Sequence, residues 1–148
     1  MTENTNVGVG FGVMILRNGK ILLGQRHVDP AKADSELHGE WTRTMPGGKM
    51  RFHESFEETC HRETLEETGL EINTSTIKII SITNDMVSDK HFVTIGFLSE
   101  DVKGEPQVLE PDEITQWQRF DLNELPTPLF FPSEKVIKNY FAGSIYNY

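Results

Sequence analysis

From Val7 to Leu16 the chain alternates, with Val7, Val9, Phe11, Val13 and Ile15 on one side and Gly8, Gly10, Gly12, Met14 and Leu16 on the other. A period of two is the signature of a strand. The next residues, Arg17-Asn18-Gly19-Lys20, hold the Asn-Gly pair that suits a tight hairpin turn, so Lys20 to His27 is predicted to return antiparallel. Val28 to Glu40 is polar, carries Pro30 and Gly39, and predicts a long mobile loop. After Trp41 to Met45, Pro46-Gly47-Gly48 predicts a tight bend; a helix follows from Ser55 to Thr68 with Gly69 as its C-terminal cap. Further strands are expected at Ile77 to Thr83, His91 to Leu98 and Thr115 to Phe120, and a closing helix from Ser133 to Phe141. Strands interspersed with two helices predict an α/β sandwich around a mixed sheet rather than a regular doubly wound parallel sheet.

Composition narrows the picture. A chain of 148 residues with 36% hydrophobic content suits one compact domain and is short for two. No run is apolar for long enough to cross a bilayer, and the opening MTENTNVG lacks the basic-then-apolar pattern of a secretion signal, so a cytoplasmic protein is expected. The single cysteine, Cys60, rules out an internal disulfide and reads as a small buried hydrophobe. A formal charge of −9 sets the surface field against DNA, RNA and anionic lipid. Nucleic-acid polymers and membranes are therefore not expected partners. A small phosphorylated ligand stays open where divalent cations mediate the contact.

Acidic residues concentrate in "GGKMRFHESFEETCHRETLEETGL", Gly47 to Leu70. Wound at 100° per residue with Phe56 as zero, Cys60 falls near about +40°, Glu63 near about −20°, Glu67 near about +20° and Glu66 near about −80°. Glu57, Glu58 and His61 point away from this stripe, as a solvated face should. Glu63 and Glu67 share the apolar side, where an uncompensated carboxylate would lose hydration or take up a proton. Arg62 could pair with one of them, but it cannot neutralise Glu63, Glu66 and Glu67 together. Oxygen ligands in that number suit Mg²⁺ or Mn²⁺ rather than zinc. Leu65, opposite Phe56, predicts that the helix is covered on a second side.

This segment resembles the signature of the Nudix hydrolases, G-x5-E-x7-R-E-U-x-E-E-x-G-U with U a bulky aliphatic residue. Gly48, Glu54, Arg62, Glu63, Glu66, Glu67 and Gly69 supply every fixed identity, and Leu70 the final aliphatic position. Seven such matches arise by chance on the order of 10⁻⁸ per starting point. Thr64 departs from the usual aliphatic position. The resemblance implies an α/β/α sandwich and Mg²⁺- or Mn²⁺-dependent hydrolysis of a nucleoside diphosphate linked to another group. It makes Glu63, Glu66 and Glu67 metal ligands, joined by a backbone carbonyl of Gly47 or Gly48. Arg62 would orient Glu63, and Glu54 would support the metal from behind or hold the loop before the helix. Glu63 is the first choice of proton acceptor, with Glu110, Asp112 and Glu113 as competitors from "LEPDEITQW".

For the substrate, the bare face of Gly8, Gly10 and Gly12 would admit a flat ring or another backbone. Arg26, Gly47 and Lys49 are candidate phosphate contacts, and Trp41, Phe92 and Trp117 candidate stacking partners. The family's marks for ADP-ribose, dinucleoside polyphosphate and NADH subgroups are missing downstream, where "NDMVSD" stands. What the resemblance then implies is a MutT-like enzyme releasing monophosphate and pyrophosphate from a nucleoside or deoxynucleoside triphosphate. The alternatives are a nucleotide-sugar or other conjugate hydrolase, and a nucleotide sensor without turnover. Many relatives pair as homodimers, and the oligomeric state stays open.

Overall fold

The computed structural model describes residues 5–33 and 37–147. The first hairpin joins β1 (Gly8–Arg17) to β2 (Lys20–Arg26), with Leu16 opposite Ile21 and Arg17 opposite Lys20. Asn18 at φ 54° and Gly19 at φ 76° occupy the turn, as the Asn-Gly pair required. Next come α1 (Pro30–Ala33), β3 (Arg43–Thr44), β4 (Gly47–Lys49), α2 (Phe56–Thr68) and β5 (Glu71–Ile72). A single 3₁₀ turn (Thr74–Thr76) leads into β6 (Lys78–Val87) and β7 (Lys90–Ser99), and β8 (Val102–Lys103), β9 (Ile114–Asp121) and α3 (Phe131–Ala142) close the chain.

The main sheet runs β3-β2-β1-β7-β6, with β4 also on β1 and β9 on β2. β1 lies parallel to β7 and antiparallel to β2 and β4, so the sheet is mixed. It also forks along β1: Gly10 to Gly12 pair with β4, whereas Leu16 and Arg17 pair with β2. Both faces are covered. Phe11, Val13 and Ile15 share a core with Cys60 of α2, and Met14 and Leu16 share another with Val136 and Ile137 of α3. This is the expected α/β/α sandwich, and each fully buried aliphatic side chain, such as Leu22, stabilises it by about 1.5–3 kcal/mol. Among the described residues no helix is long and apolar enough to cross a membrane.

Three expectations are corrected. Gly47 and Gly48 do not form a bend; Pro46 bends and the two glycines continue as strand β4, opposite Gly12 and Phe11. They are glycines because a Cβ on Gly47 would lie 2.0 Å from the Phe11 carbonyl oxygen, and one on Gly48 2.4 Å from the Glu63 carboxyl carbon. Close approach, not turn geometry, selects them. Leu65 is not covered on a second side: it is 38% exposed. The hidden side of α2 is instead Thr59, Cys60, Thr64 and Thr68. Two of these threonines spend their hydroxyls nearby, Thr68 on the Thr64 carbonyl at 2.6 Å and Thr59 on Glu54 at 2.8 Å, which lets a polar residue type serve as core. Finally, the Val28 to Glu40 stretch is not loop throughout, because Asp29 caps the short helix α1 through the Ala31 amide at 3.0 Å. Residues 34–36 of that stretch lie outside those described.

Candidate active site

Helix α2 starts where Ser55 accepts a hydrogen bond from the Glu58 amide at 3.1 Å and ends where Gly69 adopts φ 76° and donates its amide to the Leu65 carbonyl. Between these caps the motif side chains line up on the side facing β4. Arg62 is their hub. Its Nε reaches Glu54 Oε2 at 2.5 Å and its Nη2 reaches Glu54 Oε1 at 2.9 Å, a forked pair only 16% and 11% exposed. Nη2 also donates to the Lys49 carbonyl at 3.0 Å, and Nη1 to Glu63 at 2.7 Å and Glu66 at 3.4 Å.

Glu54 further accepts the Arg51 amide and the Thr59 hydroxyl, both at 2.8 Å, so it ties the loop before the helix to the helix itself. The Arg62 hydrogen bond, first among these contacts, holds its carboxyl down at about 2. Arg62 is thereby held firmly charged, and most of its charge is answered by Glu54. Little positive charge is left for the other acids. Burial pushes Glu63 up despite its bond to Arg62. Glu67 is driven well above the ordinary carboxylate range, by burial first and then by the charges of Glu63 and Glu110. The amide of Gly47 faces it at a long 3.5 Å, and among the described residues no cationic side chain forms an ion pair with it. Glu110 rises as well, through burial and then Glu113.

These acids line one end of a cleft of roughly 430 Å³ that opens at the fork of β1. Glu63, Glu66, Glu67, Glu110 and Glu113 face it together with Gly47, Gly48 and Lys49. As the side chains stand, Arg62 draws Glu63 and Glu66 toward itself, and among the described residues no three acids or histidines share a coordination point. The donor chemistry nonetheless fits a hard divalent cation: the acids offer oxygens, negative charge is in surplus, and among the described residues no cationic side chain pairs with Glu67. Gly48, whose missing side chain leaves room for the Glu63 carboxylate, brings main chain to the same corner.

The remaining candidates separate. Gly10 and Gly12 line the cleft, but Gly8 does not: the Phe92 ring would meet its Cβ at 2.4 Å, and it borders a shallower depression with Asn6 and Lys90. Gly12 is packed against Met45, which would touch its Cβ at 2.9 Å, so only Gly10 presents open backbone to the cleft. Arg26 lines the cleft while its Nε and Nη2 donate to the carbonyls of Gly39 at 2.9 Å and Ala33 at 2.7 Å, and its guanidinium lies 4.7 Å from the Phe130 ring centroid. Lys49 is exposed, with its ammonium 5.8 Å from the Phe92 ring centroid. Of the aromatic candidates Phe92 lines the cleft. Trp41 is 59% exposed, and Trp117 packs on the core and donates to the Glu67 carbonyl at 3.2 Å. Asp112 is exposed and is not among the cleft residues. Sequence reasoning missed Thr44, Thr94, Phe130 and Ser133, which also line the cleft. Thr94 could have been found only through its parallel pairing with Gly10.

Fold, cleft and charge together describe the NUDIX hydrolases, enzymes of phosphoanhydride bonds. The NUDIX domain model matches residues 7–140, and the chain belongs to that family. It is 33% identical over 127 residues to a Methanocaldococcus jannaschii protein named ADP-ribose pyrophosphatase, covering 86% of this chain and 69% of the relative. A Danio rerio protein named oxidized purine nucleoside triphosphate hydrolase is 32% identical over 116 residues, 77% of this chain and 66% of that one. The crystal structure of a MutT NUDIX hydrolase from Burkholderia pseudomallei superposes with a TM-score of 0.79 at 28% identity, covering 90% of this chain and 98% of that one.

Proposed function

We propose that the chain hydrolyses a nucleoside or deoxynucleoside triphosphate to the monophosphate and pyrophosphate, using Mg²⁺ or Mn²⁺ held by Glu63, Glu66, Glu67 and the main chain at Gly48. The observation that carries this reading is Glu67, a half-buried acid surrounded by other acids in a cleft also walled by Phe92 and Phe130. Such a carboxylate is costly for the fold and useful for holding a cation. A bound divalent ion would neutralise the polyphosphate and lower the pKa of water for in-line attack on phosphorus. The chain's own residues do the rest. Arg62 holds Glu63 in place, and Glu54 holds Arg62. Glu63 accepts the proton, with Glu110 as competitor on the facing loop. Lys49 and Gly47 contact the substrate's phosphates, Gly10 lets the substrate lie flat on β1, and Arg26 braces the wall of the cleft.

A second reading, hydrolysis of a nucleoside diphosphate conjugate such as ADP-ribose, is supported by the name of the archaeal relative. The absence of the ADP-ribose subgroup's mark downstream, where "NDMVSD" stands, speaks against it, and the same metal site would serve both. The setting in either case is a small cytoplasmic nucleotide, handled by a monomer or a homodimer alike. Product analysis separates the two: pyrophosphate with monophosphate supports triphosphate cleavage, whereas AMP with a sugar phosphate supports the conjugate. Turnover without added divalent metal after exhaustive chelation would overturn both.

A further inference from the structure

We infer that Thr94 reads the nucleobase as a hydrogen-bond acceptor, its hydroxyl hydrogen being held by the buried Asp85, so that the cleft favours a base presenting an amino group over one presenting an oxo group. This rests on the nucleotide reading above and concerns the part of the cleft beside Gly10.

Asp85 on β6 is 0% exposed, and a carboxylate so placed must be met by donors. It is met by three. Thr83 donates to Oδ2 at 3.1 Å, Lys135 of α3 donates to Oδ1 at 2.9 Å, and the Thr94 hydroxyl makes a short bond to Oδ2. Lys135 is pinned in turn by the Asn84 carbonyl at 2.8 Å. With an ammonium and two hydroxyls converging on it, Asp85 accepts. A threonine hydroxyl has one hydrogen, so once Asp85 takes it only lone pairs face any other partner.

Those lone pairs border the cleft. Thr94 stands opposite Gly10 in the β1–β7 register, and its Oγ1 lies 3.8 Å from the point where a Cβ on Gly10 would be. The Gly48 carbonyl oxygen and the Phe92 ring lie at the same 3.8 Å from that point, so the hydroxyl sits beside the open backbone at Gly10. Two further hydroxyls of the cleft lining have the same bias. Ser133 Oγ accepts from the Met45 amide at 3.2 Å, and Thr44 Oγ1 donates to the Met45 carbonyl at 3.0 Å. The Ser133 hydrogen then serves the 3.2 Å contact between the two hydroxyls. A base amino group therefore finds acceptors here, while an oxo group meets lone pairs.

The test compares nucleotides that carry an amino or an oxo group at the same ring position, CTP with UTP and ATP with inosine triphosphate, by kcat/KM with Mg²⁺ and by calorimetric binding of the corresponding monophosphates. In wild type the amino member of at least one pair is expected to be favoured on the order of tenfold, chiefly in KM and in monophosphate affinity. Thr94→Val should bring that ratio close to one, and Thr94→Ser should keep it. Because the ratio is internal to each variant, a general loss of stability or rate does not imitate the effect. Asp85→Asn, which offers an N–H to the Thr94 oxygen and frees its hydrogen, should weaken or reverse the preference. An oxo preference in wild type, or an amino preference that Thr94→Val leaves unchanged, overturns the inference. Turnover of nucleotides with no amino or oxo discrimination overturns this inference alone, whereas no binding or turnover of any nucleotide overturns the functional reading as well.

Discussion

Gly47 and Gly48 adjoin in sequence and in strand, yet a methyl group added to each should produce opposite failures. The atoms nearest a Cβ on Gly48 are those of the Glu63 carboxylate, at 2.4–2.5 Å, and that is the far end of a flexible side chain. Glu63 can swing aside at the cost of its 2.7 Å bond to Arg62, a charge-assisted contact of about 1.5–3 kcal/mol, partly offset by about 0.4–1 kcal/mol from a stiffer unfolded chain. Gly48→Ala should therefore lose about 1–2 kcal/mol, a drop of several degrees in Tm at roughly 4 °C per kcal/mol. Activity should suffer far more. A ligand displaced by about 1 Å typically costs on the order of 100-fold in rate. On Gly47 the added atom would lie 2.0 Å from the Phe11 carbonyl oxygen and 3.2 Å from the Gly12 Cα, both backbone, so strands β1 and β4 would have to part. Gly47→Ala should cost at least about 3 kcal/mol and yield little folded protein. Urea unfolding gives the stability of each variant and pyrophosphate release gives its rate. Gly48→Ala active within threefold of wild type, or unfolding as readily as Gly47→Ala, would refute the reasoning.

Four shorter expectations follow from the same geometry. Glu67→Gln should reduce turnover by orders of magnitude and, without metal, raise Tm, because it removes an acid whose charge the fold penalises. The pH dependence carries a definite sign: Glu67 binds its proton more tightly folded than unfolded, so its contribution is complete below the unfolded value near 4.5 and fades as pH rises through the raised folded value. Metal-free wild type should lose stability over that climb more steeply than Glu67→Gln, as measured by urea unfolding at a series of pH values. Arg62→Lys, which cannot hold both the Glu54 fork and Glu63, should lose about 10- to 100-fold in rate and about 2–4 kcal/mol in stability; full activity would contradict Arg62 as the hub. Cys60 is fully buried, and burial pushes its thiol up to about 12, so a thiol reagent at pH 8 should label the unfolded chain and leave the native one intact.

The sequence made some of this legible and hid the rest for physical reasons. Alternation in β1 and the Asn-Gly turn are local, and they placed the first hairpin within a residue of its observed limits. The helix ends were legible because Ser55 and Gly69 cap through contacts within one turn. Winding that helix correctly put Glu63 and Glu67 on its inner side. Residue type then misled, since Thr59, Thr64 and Thr68 count as polar by composition and are buried, Thr59 and Thr68 through hydroxyl bonds of their own. Gly47 and Gly48 read as a turn because their purpose, room for Phe11 and Glu63, exists only after β4 meets β1 and α2. The part of the cleft beside Gly10 was the least visible. Thr94 and Asp85 come together through an antiparallel pairing of β6 with β7, and Thr94 reaches Gly10 through a parallel pairing across more than eighty residues of chain.

The central claim is that Glu63, Glu66 and Glu67 together hold a divalent cation in the cleft. Calorimetric titration of Mn²⁺ into the chelator-treated protein with a non-hydrolysable triphosphate analogue, in wild type and in Glu67→Gln, tests it most directly. Saturable binding in wild type, weakened at least tenfold by Glu67→Gln with the fold retained, is the expected result. Equal Mn²⁺ affinity in the two proteins, or none in either, would contradict it.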